Sequence, residues 1–220
     1  MKRSKFTWII DPVIWITYMI LLSFILFASA LNDKAYSDEK PDAFEEYISD
    51  GNYFKCLLPE GWSRYEAPDY SREASKVYGI EVYQGSSEHR VGVSVKYYAG
   101  DNKLHKSAEK FIGIHSRPVF GGPEKEGEKY GPVKEILIQG VKAKTFERVR
   151  YEFEDHIYNP VSKRYYEPMN PRKFPMDERY IVIPAKEGFY VLRYTASPDT
   201  VKRFEGVFQT VLNSFEPLIK

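Results

Sequence analysis

The chain has 220 residues, and its 32 Lys and Arg nearly balance its 31 Asp and Glu, so it lacks the basic surplus that nucleic-acid-binding domains gather on one face, and no nucleic-acid partner is expected. Its single cysteine, Cys56, excludes an intrachain disulfide. With residues 1–30 set aside, the remaining 190 suit one domain, long enough to bury a core without help from a disulfide or a metal.

Lys2, Arg3 and Lys5 precede residues 12–30, which carry no charge and end in Ala28, Ser29 and Ala30. This order reads as a membrane-targeting leader: basic residues, an apolar stretch, then a small-x-small site of the kind signal peptidase cuts. The expected orientation is N-terminus inside, domain outside. Cleavage after Ala30 is the expected outcome. The alternative is a retained N-terminal hydrophobic helix, because the 19 uncharged residues nearly reach the roughly 20 that span a bilayer. In that case the leader supplies the chain's membrane contact. Cys56 lies too far downstream to carry a lipid. Removal of the leader leaves 29 basic and 30 acidic residues, a near-neutral body.

Residues 31–51 read as a polar linker and a short helix, with Phe44, Tyr47 and Ile48 at helical spacing on one side. Residues 52–220 are expected to form the domain. A strand is expected at 53–58, with Cys56 beside Phe54 and Leu58 on its apolar face, where a thiol behaves as a small hydrophobe. Pro59 and Gly61 end it in a turn, and Trp62 is expected in the core. Residues 77–83 and 90–99 alternate with period two, most clearly Val91, Val93, Val95 and Tyr97. Ser107 is placed to cap a helix to about Arg117, with Ala108, Phe111, Ile112 and His115 on one face and Pro118 beyond its end.

A charged, Gly- and Pro-rich loop at 121–132 precedes a hairpin, 133–138 and 141–153, turning at Gln139 and Gly140. In its second strand Val141, Ala143, Thr145, Val149, Tyr151 and Phe153 share one face, and Arg148, Arg150 and Glu152 the other. The second face is expected to be wet and the first covered by a pair of helices. A last hairpin, 179–184 and 189–196, turns around Lys186, Glu187 and Gly188. The closing helix is expected to start at a Ser197 cap with Pro198 at its first position, and Val201, Phe204, Phe208, Val211 and Phe215 form its buried stripe. This order of elements predicts an α+β fold.

Four motifs occur in a particular order: Leu58, Pro59, Glu60, Gly61 and Trp62 after the first strand; Gln139, Gly140, Val141, Lys142 and Ala143 at a turn; Gly188, Phe189, Tyr190, Val191, Leu192, Arg193 and Tyr194 in a strand; and Asn213, Ser214 and Phe215 closing a helix. Together they resemble the PsbP-like superfamily over residues 52–218. The resemblance implies a central antiparallel sheet with helices packed on its faces, a PsbP-like α/β sandwich. The best-known members are extrinsic subunits of the oxygen-evolving complex in the thylakoid lumen, and a distant eukaryotic relative binds a small GTPase; both are binding proteins rather than enzymes. Many bacterial relatives carry a signal or lipoprotein leader and have no assigned activity. No manganese or calcium ligand of the family matches a position here, so no cofactor is expected.

The sequence contains no phosphate-binding Gly-rich loop, no Gly-x-Ser-x-Gly elbow and no His-Glu-x-x-His pair. His89, His105, His115 and His156 lack metal-type spacing, and the adjacent Asp155 and His156 would point to opposite faces of a strand. The segment 156–178 is long for a connection. In it Tyr158, Tyr165, Tyr166 and Phe174 alternate with Lys163, Arg164, Arg172 and Lys173, a composition common in protein interfaces. A partner-binding loop is one reading; a loop that simply packs on its own sheet is the plainer one. The expected function is a non-enzymatic, extracytoplasmic module that docks on an envelope or membrane protein, with an envelope ligand-binding protein or hydrolase as the alternative.

Overall fold

The computed structural model describes residues 41, 43–85, 89–118, 122, 126–153, 157–159, 164–166 and 172–219, at 157–159 and 164–166 for the backbone alone. The leader and most of the linker lie outside the described residues. Among the described residues no helix is long and apolar enough to cross a membrane.

An eight-stranded antiparallel sheet dominates. It contains β3 (Ser63–Glu66), β4 (Val77–Gln84), β5 (Val91–Ala99), β12 (Gly188–Ala196), β11 (Lys173–Ala185) and β8 (Val141–Phe153) in spatial order, and β6 (Lys129–Tyr130) and β7 (Lys134–Ile138) both pair with β8. A smaller sheet joins β1 (Phe44–Ile48), β2 (Phe54–Pro59) and β13 (Glu216–Pro217), and β9 (Ile157–Asn159) pairs with β10 (Arg164–Tyr166). Among the described residues the helices are α1 (Asp69–Ser75), α2 (Ala108–His115) and α3 (Val201–Ser214). The expected hairpin turn is present, with Gln139 at φ 50° and Gly140 at φ 82°, the left-handed pair that a two-residue turn between twisted strands requires. Ser107 caps α2 as expected, its side chain accepting from the Lys110 amide.

One face of the large sheet carries the main core. Ile80, Val82, Val93, Val95, Leu192 and Tyr194 meet Phe54 and Leu58 of β2 and the stripe Phe204, Val207, Phe208, Val211 and Phe215. Cys56 and Trp62 are buried there, as expected. Each of these large side chains contributes roughly 1.5–3 kcal/mol by leaving water, so the stripe on α3 ties the last helix firmly to both sheets.

Four expectations are corrected. Residues 44–48 form a strand, not a helix: so short a helix leaves most of its backbone groups unpaired, whereas alongside β2 they pair in register from Phe44↔Pro59 to Ile48↔Lys55. α3 starts at Val201 with Thr200 as its cap, four residues after Ser197, because Thr200 bonds back to Ser197 through both hydroxyl and amide and closes a separate turn. The second face of the large sheet is not wet. Phe146 on β8 joins Tyr98, Phe111, Ile112, Tyr180, Val182, Phe189 and Val191 in a second core under α2. The segment 156–178 is not one loop, since β11 already begins at Lys173 and β9 and β10 lie within it.

Candidate functional site

The geometry around the expected contact segment follows from two strands of unequal reach. β8 and β11 are each 13 residues long, but β12 pairs with β11 only from Asp177↔Ala196 onward. Beyond that point, among the described residues, β8 and β11 pair only with each other, through Met176↔Arg150, Pro175↔Tyr151, Phe174↔Glu152 and Lys173↔Phe153. They form a two-stranded arm that runs past the sheet. Its two faces differ: Phe174 and Met176 are buried, at 8% and 0% exposed, whereas Phe153 is 56% exposed. Lys173 lies 5.8 Å from the Phe153 ring and Arg172 lies 5.3 Å from the Phe174 ring, cation–π distances that hold basic groups over aromatic faces.

The expected contact residues therefore separate. Arg172 and Lys173 are exposed at the end of the arm. Phe174 is not available to a partner, because strand alternation turns it to the buried side. Tyr158 and Tyr165 share a register position between β9 and β10, with Arg164 opposite Asn159 and Tyr166 opposite Ile157. Lys163 lies outside the described residues, as do Asp155 and His156.

The base of the arm holds a charge cluster that was not anticipated. Glu178 on β11 is fully buried, and its carboxylate accepts from Arg148 Nε at 2.5 Å, Arg150 Nε at 3.0 Å and the Tyr180 hydroxyl at 3.0 Å. Arg193 lies at 3.6 Å and also donates to Glu81 at 3.0 Å. Burial alone would raise the Glu178 carboxyl, but the charges of Arg148, Arg150 and Arg193 outweigh it and hold the group below the usual range. Both carboxylate oxygens are bonded, so the group stays ionised and positions the arm rather than offering a proton. The signal in the sequence was the alternation of Arg148, Arg150 and Glu152 on one strand face, but their buried partner comes from a strand some thirty residues away.

The fold also joins two of the scattered histidines. His105, just before α2, and His115, its last residue, have ring centroids 5.3 Å apart, each with one buried ring nitrogen that has no hydrogen-bond partner. His89 instead meets Asp199 at 2.6 Å. Among the described residues no group of three or more His, Cys, Asp or Glu is arranged to hold a metal ion. Burial pushes the Cys56 thiol up to about 12, so it remains protonated and packs as a hydrophobe.

A cavity of about 500 Å³ lies at the opposite end of β8 and β11, between the β7–β8 turn and the C-terminal segment. Ile183, Tyr190 and Phe215 form its buried floor; Ile138, Val141, Pro184, Pro217 and Ile219 complete its apolar wall. Ligand pockets commonly have about this volume, with apolar walls and few polar groups.

No family model matches the chain, and no curated protein matches it. Among solved structures the chain is similar to the solution structure of cyanobacterial PsbP (CyanoP) from Synechocystis sp. PCC 6803, with 13% identity over 82% of this chain and 95% of that one and a TM-score of 0.42. It is also similar to LpqN of Mycobacterium tuberculosis, described as involved in cell envelope biogenesis, with 13% identity over 86% of this chain and 94% of that one and a TM-score of 0.37. A Bacteroides thetaiotaomicron structure shows 10% identity over 79% of this chain but only 48% of its own length, with a TM-score of 0.40. These similarities concern the fold alone and carry no role over to this chain.

Proposed function

We propose that this chain is an extracytoplasmic binding module, delivered across the cytoplasmic membrane by its leader, that docks on an envelope or membrane protein through the far end of the β8–β11 arm. The carrying observation is the arm itself. It extends beyond the sheet, is anchored on one face by buried Phe174 and Met176, and presents Phe153, Arg172 and Lys173 on the other side and at its end. An exposed aromatic ring beside basic groups on paired strands suits a protein interface, where aromatic and arginine side chains carry much of the binding energy. The basic and then apolar order of residues 2–30 supports the extracytoplasmic location. The reading includes no catalytic step.

The test is in-cell crosslinking with the tagged full chain, compared with a variant carrying Phe153→Ser, Arg172→Glu and Lys173→Glu. A deletion of residues 157–177 is unsuitable because it removes Phe174 and Met176 from β11. The expected result is a defined crosslinked partner that the triple variant loses while its thermal unfolding is unchanged. Recovery of the same partner by both forms, or of none by either, would refute the arm as the docking element. A second reading, a ligand-binding protein of the envelope, is favoured by the apolar cavity at the other end of the same strands.

A further inference from the structure

The polar groups around the 500 Å³ cavity are few, and most are already engaged. The Gln139 side-chain amide donates to the Phe215 carbonyl at 2.7 Å. The Tyr190 hydroxyl donates to the Tyr53 carbonyl at 2.9 Å and lies 3.4 Å from that of Ile219. Glu216 is paired with Lys55 at 2.9 Å. Lys186, in the turn between β11 and β12, is the remaining charged side chain on the lining, and among the described residues it makes no ion pair or hydrogen bond. The cavity thus combines an apolar interior with one solvent-exposed positive charge, unpaired within the protein, at its edge.

An occupant that matches both features has an apolar body to fill the space above Ile183, Tyr190 and Phe215 and an anionic end to meet Lys186. A neutral hydrocarbon gains nothing from the ammonium, and a compact anion leaves the apolar floor uncovered. A phospholipid brings two chains to a space of single-ligand volume. We propose that the cavity binds a single-chain carboxylate of the fatty-acid type, its chain against the floor and its carboxylate paired with Lys186. Each methylene transferred from water into the cavity should then strengthen binding about fourfold, until the space is full. This inference is independent of the arm, since the cavity lies at the opposite end of β8 and β11.

The experiment uses the full chain in neutral lipid nanodiscs and a photoreactive single-chain fatty acid, with crosslinked peptides mapped by mass spectrometry. Labelling is expected in peptides containing Ile138, Val141, Ile183 and Phe215. Unlabelled saturated carboxylates should compete with the fourfold gain per methylene, and the alcohol and the amine of equal chain length should compete less well. Lys186→Glu, at an exposed turn where folding is not at risk, should lower carboxylate labelling severalfold while leaving labelling by the photoreactive alcohol unchanged. Ile183→Trp should abolish labelling by both probes, with thermal unfolding recorded to show that the fold is kept. Labelling elsewhere only, equal competition by carboxylate, alcohol and amine, or labelling by a two-chain phospholipid probe in preference to the fatty acid would each overturn the proposal.

Discussion

Replacing His115 by phenylalanine should flatten the acid side of this protein's stability curve. His115 closes α2 with its ring 4.2 Å from that of Phe111 and 5.9 Å from that of Tyr180, and its buried Nε2 has no partner. Burial first, and then the neighbouring Arg148 charge, push its pKa down to about 4 from the ordinary 6.5. The folded chain therefore holds a neutral imidazole where the unfolded chain already binds a proton. Above the ordinary value neither state is protonated and nothing is lost; as pH falls between the two values only the unfolded state gains the proton, so stability declines, and the decline is complete below the folded value. The full window corresponds to about 3 kcal/mol at 1.36 kcal/mol per pKa unit. The ring is partly exposed, and solvent screening reduces the part lost between about pH 7 and about pH 5 to about 1 kcal/mol. Phenylalanine keeps the ring contacts and cannot titrate. Urea unfolding of both proteins at the two pH values, followed through the sheet signal, measures the difference, and carboxylates common to both cancel. Equal losses of stability in wild type and His115→Phe would refute the argument.

Other perturbations test other parts of the fold. Glu178→Gln leaves Arg148, Arg150 and Arg193 without their buried counter-charge and should cost about 3–5 kcal/mol in urea unfolding, the usual penalty for breaking a buried pair. Phe208→Ala removes a fully buried ring stacked on Tyr194 at 5.3 Å and should cost about 3–5 kcal/mol, read as a lowered thermal midpoint. Two glycines with positive φ should respond differently. Alanine at Gly140, φ 82° with nothing near the added methyl, should cost only the left-handed strain of about 1–2 kcal/mol, whereas at Gly188, φ 124°, the methyl would run into the Tyr98 carbonyl and should cost clearly more in the same assay.

Much of the local structure was legible from short-range pattern. Val91, Val93, Val95 and Tyr97 alternate because a half-buried strand turns every second side chain inward, and Phe204, Phe208, Val211 and Phe215 recur at three and four because one side of a helix faces the core. The Gln139–Gly140 turn was readable because few residues tolerate a left-handed backbone. Where two periods compete over a few residues, pattern fails. Phe44, Tyr47 and Ile48 have helical spacing, yet pairing with β2 decides the matter by satisfying backbone groups that a single turn of helix cannot.

The second face of the sheet shows the wider limit. Arg148 and Arg150 suggest water when their own strand is considered alone, but the register sets them beside Glu178 and sets Phe146 beside Tyr180. By itself the sequence determined the α+β class, the inward face of most strands, the closing helix and the leader-like order of residues 2–30, because these depend on neighbours a few positions apart. Only the tertiary structure decided the buried charge cluster, the pairing of His105 with His115, the arm and the cavity edged by Lys186. Each depends on which distant strands lie side by side and how far each extends, and no local period records that.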